Sequence, residues 1–283
     1  MSRPKVRDTL EELGLAPSKS RGQNFLKDEN QIARIVRAIV EAAGPEPELV
    51  EIGPGLGALT LPLIESGARV RAVELDRGLA EALSAGPGAK YPGQLTVIHR
   101  DVLTLTADDM AAERPLFLCG NLPYNISSQV LFWFLEHRRR FSGAMFMLQK
   151  EMARRLTAGP GTKDYGRLAV ALSLWMRVRL VLDVPPSAFH PRPKVDSAVV
   201  ALSPVPAETE PRVSPEALGR FTAKCFAARR KTLANNLIPA YGREEALAAL
   251  GRLGFDPGLR AEALDPPALA SLAALLEVDQ PRP

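Results

Sequence analysis

Residues 48–63 read ELVEIGPGLGALTLPL, an apolar run that stops at Gly53-Pro54-Gly55-Leu56-Gly57 and passes at once into a helical pattern. Glycines at such a corner let the backbone turn sharply and come close to a ligand at the carboxyl end of a strand. A nicotinamide fingerprint would be G-x-G-x-x-G. Here the third glycine comes one residue early, and Pro54 removes an N–H that a pyrophosphate would use. Alone, the loop is equally compatible with a plain strand-to-helix turn.

The same alternation continues on both sides of the loop. QIARIVRAIVEAA ahead of it has apolar residues at helical spacing and is stopped by GPEPE. Behind it, RVRAVELD reads as a strand, RGLAEAL as a helix, LTVIHRD and RPLFLCGN as strands, SSQVLFWFLEH as a helix and GAMFMLQK as a strand. Strands interleaved with helices predict an α/β fold with a mostly parallel sheet covered on both faces. MRVRLVLDV and VDSAVVALSP alternate in character and predict a closing pair at one sheet edge. SPVPAETEPRVSP, rich in Pro and Glu, then marks a boundary. It divides a domain over residues 1–205, with a basic amino-terminal extension, from a small helical domain over 206–283 carrying ALGRFTAKCFAARRKTLANNL, REEALAALGRLG and PPALASLAALLEV.

At 283 residues the chain can hold two cores, and no apolar stretch is long enough to span a bilayer. The start, MSRPKVRDTLEELGL, lacks the apolar core of a secretory signal, and Cys119 and Cys225 do not suggest a disulfide framework, so a cytoplasmic location is expected. Charge is unevenly distributed. Residues 41–114 carry twelve acids and six bases, whereas 137–179 carry ten bases and two acids. A second basic group, Arg220, Lys224, Arg229, Arg230 and Lys231, lies in a window without acids, and the amino terminus adds Arg3, Lys5, Arg7, Lys19, Arg21 and Lys27. Each cluster alone fits a solvated helix face; together they point to a polyanion such as RNA or DNA.

The decisive pattern lies in successive strand ends. Glu74 falls about twenty residues beyond the glycine loop, where an acid can accept both hydroxyls of a ribose. Asp101 occupies the next strand end, beside the base that such a ribose would carry. Singly these fit a surface acid and a capping aspartate. Together with Gly53 and Gly55 they describe an adenosine site without a pyrophosphate cradle, as S-adenosylmethionine requires. The fourth strand end delivers GNLPYNIS, residues 120–127. Pro123 restricts Leu122 to extended geometry, so the Leu122 carbonyl can stand beside the Asn121 carboxamide as a second acceptor. Two acceptors suit an exocyclic amine, whose lone pair is delocalised until both N–H groups are engaged. Such bonds strengthen as the amine attacks a methyl donor. Tyr124 offers a ring face for the base, and Phe189, in the proline-bracketed PPSAFHPRPKVDS, a second. Phe189 also fits a loop anchor packed on the core. No metal is called for.

GQNFL, EIGPGLGALT, NLPYNISS, LQKEMARRL, FHPRPKVDS and RRKTLANNL, in this order, resemble the small-subunit ribosomal RNA adenine N6,N6-dimethyltransferases of the KsgA type, along nearly the whole chain. The resemblance implies a Rossmann-like S-adenosylmethionine-dependent methyltransferase domain with a seven-stranded sheet and an all-α carboxyl-terminal domain that binds RNA. It implies dimethylation of two adjacent adenosines in a hairpin loop near the 3′ end of small-subunit (16S) RNA, on the small subunit or its precursor, by a monomer. It also implies cofactor roles for Gln23, Asn24, Leu26, Gly53, Gly55, Glu74, Asp101 and Asn121, and a catalytic site of Asn121, Leu122, Pro123, Tyr124 and Phe189. Spacing alone would leave GQNFL as a loop. The basic residues expected on RNA are Arg138, Arg139, Arg140, Lys150, Arg154, Arg155, Arg192, Lys194, Arg229, Arg230 and Lys231.

Four other readings share parts of this pattern. A large-subunit RNA dimethylase conferring antibiotic resistance would have nearly the same active site, although FHPRPKVDS followed by RRKTLANNL favours the small-subunit enzyme. A DNA adenine methyltransferase would carry Pro-Pro-Tyr where Leu122-Pro123-Tyr124 stands. A nicotinamide oxidoreductase conflicts with the glycine spacing. A non-catalytic RNA-binding relative is opposed by the intact Asn121, Pro123 and Tyr124.

Overall fold

A computed structural model of the chain describes residues 6–18, 21–106 and 108–277. Arg3, Lys5 and Lys19 of the basic amino terminus lie outside the described residues. By internal contacts the chain forms two compact units. The first comprises residues up to Ala153 together with Arg179–Ser203, and the second Arg154–Val178 together with the residues from Pro204 onward. The second unit therefore includes a segment that precedes the Pro- and Glu-rich linker.

The first unit opens with helix α1 (Val6–Glu12), strand β1 (Phe25–Leu26) and helix α2 (Glu29–Ala43). Asp28 caps α2 by accepting from the Gln31 N–H at 3.0 Å, and Ile32, Ile35, Val36 and Ile39 form its buried stripe. The alternation then runs β2 (Glu48–Ile52), α3 (Thr60–Glu65), β3 (Arg69–Glu74), α4 (Arg77–Leu83), β4 (Leu95–His99), β5 (Leu116–Asn121), α5 (Ser127–Glu136), β6 (Phe141–Gln149) and α6 (Lys150–Leu156). After α7 (Arg167–Ser173) in the second unit come β7 (Met176–Val184), β8 (Phe189–His190) and β9 (Ser197–Pro204).

The main sheet has seven strands in the order β4-β3-β2-β5-β6-β9-β7. β4 through β6 are mutually parallel and β9 is antiparallel to β6, so the expected closing pair stands at one edge. Leu116, Phe117, Leu118, Cys119 and Gly120 of β5 are all buried, as a central strand covered on both faces demands. Gly120 is required by close approach: a Cβ there would lie 2.4 Å from the Ile52 carbonyl oxygen on β2. The GQNFL segment contributes a strand rather than a loop, because β1 pairs antiparallel with β8 (Phe25 opposite His190, Leu26 opposite Phe189).

The second unit is helical, with α8 (Pro215–Cys225), α9 (Leu233–Tyr241), α10 (Arg243–Arg252) and α11 (Pro266–Leu276) after α7. ALGRFTAKCFAARRKTLANNL is not one helix. The Asn236 carboxamide donates to the carbonyls of Cys225 (2.9 Å) and Ala228 (3.2 Å), closing the end of α8, while Thr232 caps α9. Arg229, Arg230 and Lys231 consequently lie in the turn between the helices. Arg220 and Lys224 are tied to Glu277 at 3.2 and 2.7 Å, and Lys224 also donates to the Tyr241 hydroxyl at 2.7 Å.

Candidate active site

A cavity of about 560 Å³ opens where β2, β3, β4 and β5 end. Its wall includes Gln23, Asn24, Leu26, Gly53, Gly55, Glu74, Asp101, Asn121, Leu122, Pro123 and Tyr124, so residues scattered over a hundred positions of sequence meet at one sheet edge.

Gly53 and Gly55 both adopt positive φ, 64° and 56°, which places the turn in the region that favours glycine. A Cβ on Gly55 would also come within 3.1 Å of the Phe25 ring. The loop is held against its neighbours: the Gly53 N–H donates to the Val73 carbonyl at 2.9 Å, and the Gly55 N–H to the Glu74 carboxylate at 3.1 Å. Glu74 accepts a second main-chain bond from the Asp76 N–H at 2.9 Å and is only 6% exposed. Burial raises its carboxyl above the usual carboxylate range, against the lowering effect of the two N–H groups. Asp101 accepts from the Leu103 N–H at 2.9 Å, so the capping reading and the place at the third strand end both hold. Gln23 accepts from the Ser18 N–H at 2.7 Å and faces Asp76, which also pairs with Arg21. The buried charged side chains of the wall, Glu51 and Glu74, are both acids, and the arginines that line it are paired with other carboxylates. Buried acceptors of this kind fit an adenosine with a cationic side chain and do not fit a pyrophosphate.

At the β5 end, the Asn121 carboxamide nitrogen donates to the Asn24 carbonyl at 3.0 Å, and Asn24 donates to the Gly22 carbonyl at 3.0 Å. With its nitrogen committed, Asn121 has its oxygen as the acceptor. The Leu122 N–H is fixed on the Met147 carbonyl at 3.1 Å and its side chain is buried. The Pro123 carbonyl accepts from Ile126 N–H (3.2 Å) and Ser127 Oγ (3.0 Å), which locks the turn into α5. The Tyr124 hydroxyl shares a 2.7 Å hydrogen bond with the buried Ser197, and burial raises its pKa.

Phe189 is the exception among the expected site residues. Its ring is 1% exposed, packs in the core cluster with Leu26 and Val199, and does not reach the cavity, which His190 lines instead. The two-residue pairing of β1 with β8 turns Phe189 inward, so the core-anchor reading describes it. The basic residues also separate. Arg192 and Lys194 are exposed in the loop that leads to Ser197, at the cavity's edge of the sheet, and Lys150 there is paired with Asp183 at 2.8 Å. Arg138, Arg139 and Arg140 precede Phe141, whose partner Leu116 begins β5, so they lie at the opposite edge. In the second unit Arg154, Arg155, Arg230 and Lys231 are exposed, and Arg229 donates to the Lys163 carbonyl at 2.7 Å.

One residue of the wall escaped the sequence reading. Glu51, within β2, is 2% exposed, lines the cavity and accepts from Thr60 Oγ1 at 2.6 Å. Its signal was the second acid of ELVEI, flanked by apolar residues within a strand covered on both faces, where a buried acid is rare.

A family model described as ribosomal RNA adenine dimethylase matches residues 16–276 of the chain. The chain belongs to this family. Ribosomal RNA small subunit methyltransferase A of Thiobacillus denitrificans is 46% identical over 248 residues, covering 88% of this chain and 93% of that protein. The protein of the same name from Photorhabdus laumondii is 43% identical over 245 residues, covering 85% and 86%. Among solved structures, a dimethyladenosine transferase from Plasmodium falciparum superposes with a TM-score of 0.74 at 25% identity, covering 88% of this chain and 95% of that one. The 23S rRNA methyltransferase ErmE superposes with a TM-score of 0.62 at 30% identity, covering 89% and 99%. This dimethylase uses S-adenosylmethionine.

Proposed function

We propose that this dimethylase converts the N6 amines of two adjacent adenosines, in a hairpin loop near the 3′ end of small-subunit ribosomal RNA, to dimethylamines. The observation that carries the acceptor chemistry is the Asn121 carboxamide, turned by its 3.0 Å bond to Asn24 so that oxygen is the free end. Support for the small-subunit target comes from the relatives at 43% to 46% identity, which bear that name, against 30% for the 23S enzyme.

When bound, the cofactor supplies an electrophilic methyl on a sulfonium. The chain's own residues do the rest. Glu74 holds ribose hydroxyls, and Asp101 stands at the base end. The Asn121 oxygen and the Leu122 carbonyl accept from the two N–H groups of the adenine amine, which localises its lone pair for attack. Those bonds tighten as nitrogen gains positive charge, so they act on the transition state. The proton displaced by each new N–C bond leaves to solvent from an ammonium-like nitrogen that loses it easily, and a strong general base is unnecessary. Tyr124, steadied by Ser197, supports the ring of a base drawn out of its loop.

The same reading has the protein acting as a cytoplasmic monomer on the small subunit or its precursor, with Arg192 and Lys194 and the exposed bases of the helical unit holding RNA phosphates. It also assigns RNA binding to the chain beyond residue 205. The test is mass mapping of modified adenosines after incubation with S-adenosylmethionine and undermethylated small subunits. Two adjacent dimethyladenosines are expected. Methyl groups appearing only in large-subunit RNA would replace this reading with that of the ErmE-like enzymes.

A further inference from the structure

We propose that helix α1 is a further part of the cofactor site: docked through Leu10 and Leu15, it completes the wall on the ribose side of the cavity, so that its docking and cofactor binding stabilise each other. The inference rests on the reading of this cavity as the S-adenosylmethionine site, with Glu74 on the ribose, and holds whichever RNA is the acceptor.

The sequence of α1 presents one face. Val6, Thr9 and Leu10 fall at i, i+3 and i+4, and Leu10 is the buried residue of the helix. Gly14, at a φ of 66°, ends it: the Gly14 N–H donates to the Glu11 carbonyl at 3.1 Å and the Leu15 N–H to the Leu10 carbonyl at 2.8 Å. This pair of bonds is a Schellman ending, which folds the residue after the glycine back onto the last turn. Leu15 thereby joins Leu10.

Leu10, Leu15 and Val6 pack with Phe25 of β1, Leu56 of the glycine loop and Leu79 of α4, in a cluster separate from the main core. β1 divides its two side chains between the two clusters, Phe25 toward α1 and Leu26 toward the main core. Phe25, Leu56 and Leu79 also line the cavity, as do Val6 and Thr9 on the helix. The residues that seat α1 are thus residues of the cofactor wall.

The seat has a specific fitting at α4. Gly78 stands in the first turn of that helix, where alanine would favour the helical state. A Cβ on Gly78 would lie 2.6 Å from Leu15 Cδ2, so the missing side chain is the space that Leu15 needs. Asp76, which caps α4, also donates its N–H to the Glu74 carboxylate at 2.9 Å and pairs with Arg21. The corner that receives Leu15 is therefore the corner that fixes the ribose-binding acid.

A cofactor in the cavity packs against the wall that α1 completes, and it loses part of that wall when the helix leaves its seat. By linkage, the factor that docking adds to cofactor affinity is the factor that the cofactor adds to docking. Because the helix stands by the ribose rather than at the sulfur, the effect is shared by S-adenosylmethionine and S-adenosylhomocysteine.

The test combines calorimetric cofactor titration with hydrogen exchange of the α1 amides in the full chain. Leu10→Ser, which removes the buried anchor, should weaken both cofactor forms about fivefold or more. Gly78→Ala should weaken both as well, while the thermal stability of the cofactor-free protein holds, since alanine suits α4. In a Leu15→Ala background, which vacates the space, Gly78→Ala should add no further loss. The cofactor should slow exchange at the Leu13, Gly14 and Leu15 amides in the wild type, and Leu10→Ser should abolish that slowing. Glu74→Ala is the control for the underlying reading. Affinity that falls in Glu74→Ala but in neither Leu10→Ser nor Gly78→Ala, or α1 exchange indifferent to the cofactor, overturns the role of α1 and leaves the cavity reading standing. Affinity indifferent to Glu74→Ala as well removes the cavity reading and the role of α1 with it.

Discussion

The side-chain nitrogen of Asn121, at the end of β5, donates to the main-chain oxygen of Asn24 at 3.0 Å, across 97 positions of sequence. One bond therefore does two things. It orients the Asn121 carboxamide, leaving its oxygen for the acceptor amine in the proposed mechanism, and it fastens the segment around Asn24 to the end of β5 in the cavity wall.

Asn121→Ala should lower the single-turnover methylation rate by about 10² to 10³, the cost of losing one acceptor aimed at developing charge. Cofactor affinity should weaken less than tenfold, since Glu74 and Asp101 remain. Rapid-quench methyl transfer with a parallel cofactor titration measures both, and an unchanged rate removes the carboxamide from the mechanism.

Tyr124 separates ring from hydroxyl. Tyr124→Phe loses only the 2.7 Å bond to Ser197 and should keep most of the activity. Tyr124→Ala removes the ring proposed to support the base, which should cost about 1–3 kcal/mol in kcat/KM. Near-equal activities of the two variants would transfer the role from the ring to the hydroxyl.

Much of this was legible in the sequence because it depends on periodicity and on strand ends. An apolar run that stops at glycine fixes where β2 ends, and Glu74, Asp101 and Asn121 follow at the ends of the next strands in the chain. What spacing could not supply depends on contacts between distant segments. GQNFL is a strand only because Phe189 and His190 lie beside it. That pairing also buries Phe189, which by residue type and proline context looked like a stacking face. Arg138, Arg139 and Arg140 were close in sequence to the acceptor motif, yet the ten-residue helix α5 carries them back to the far edge of the sheet.

Gly120→Ala should be among the most damaging single substitutions. The added Cβ meets the Ile52 carbonyl at 2.4 Å, main chain against main chain, with no flexible side chain to give way. The strands must separate where Asn121 and the glycine loop are held, so both thermal stability and methyl transfer should fall. A melting temperature within a degree or two of wild type would show that β5 accommodates the methyl group.

Arg192→Ala with Lys194→Ala should weaken RNA binding and flatten its dependence on log salt by about 0.7 for each phosphate no longer neutralised. Arg139→Ala with Arg140→Ala, at the opposite edge of the sheet, should leave that slope nearly unchanged. Binding isotherms on undermethylated small subunits at several salt concentrations distinguish the two pairs. The reverse ranking would mean that RNA approaches the far edge.

Glu51 makes the stability of the cofactor-free protein depend on pH. Its carboxyl titrates near 7 in the folded chain and near 4.5 when unfolded, so the folded state holds its proton more tightly. The resulting stabilisation is complete below about pH 4.5 and is lost as pH rises through 7, to a limit of about 3 kcal/mol. Glu74, raised in the same direction by burial, adds to the trend. Denaturant midpoints of the cofactor-free protein should therefore fall between pH 5 and pH 8, and Glu51→Gln, which cannot ionise, should flatten most of that fall. A fall as steep in Glu51→Gln as in the wild type would assign the pH dependence to other groups.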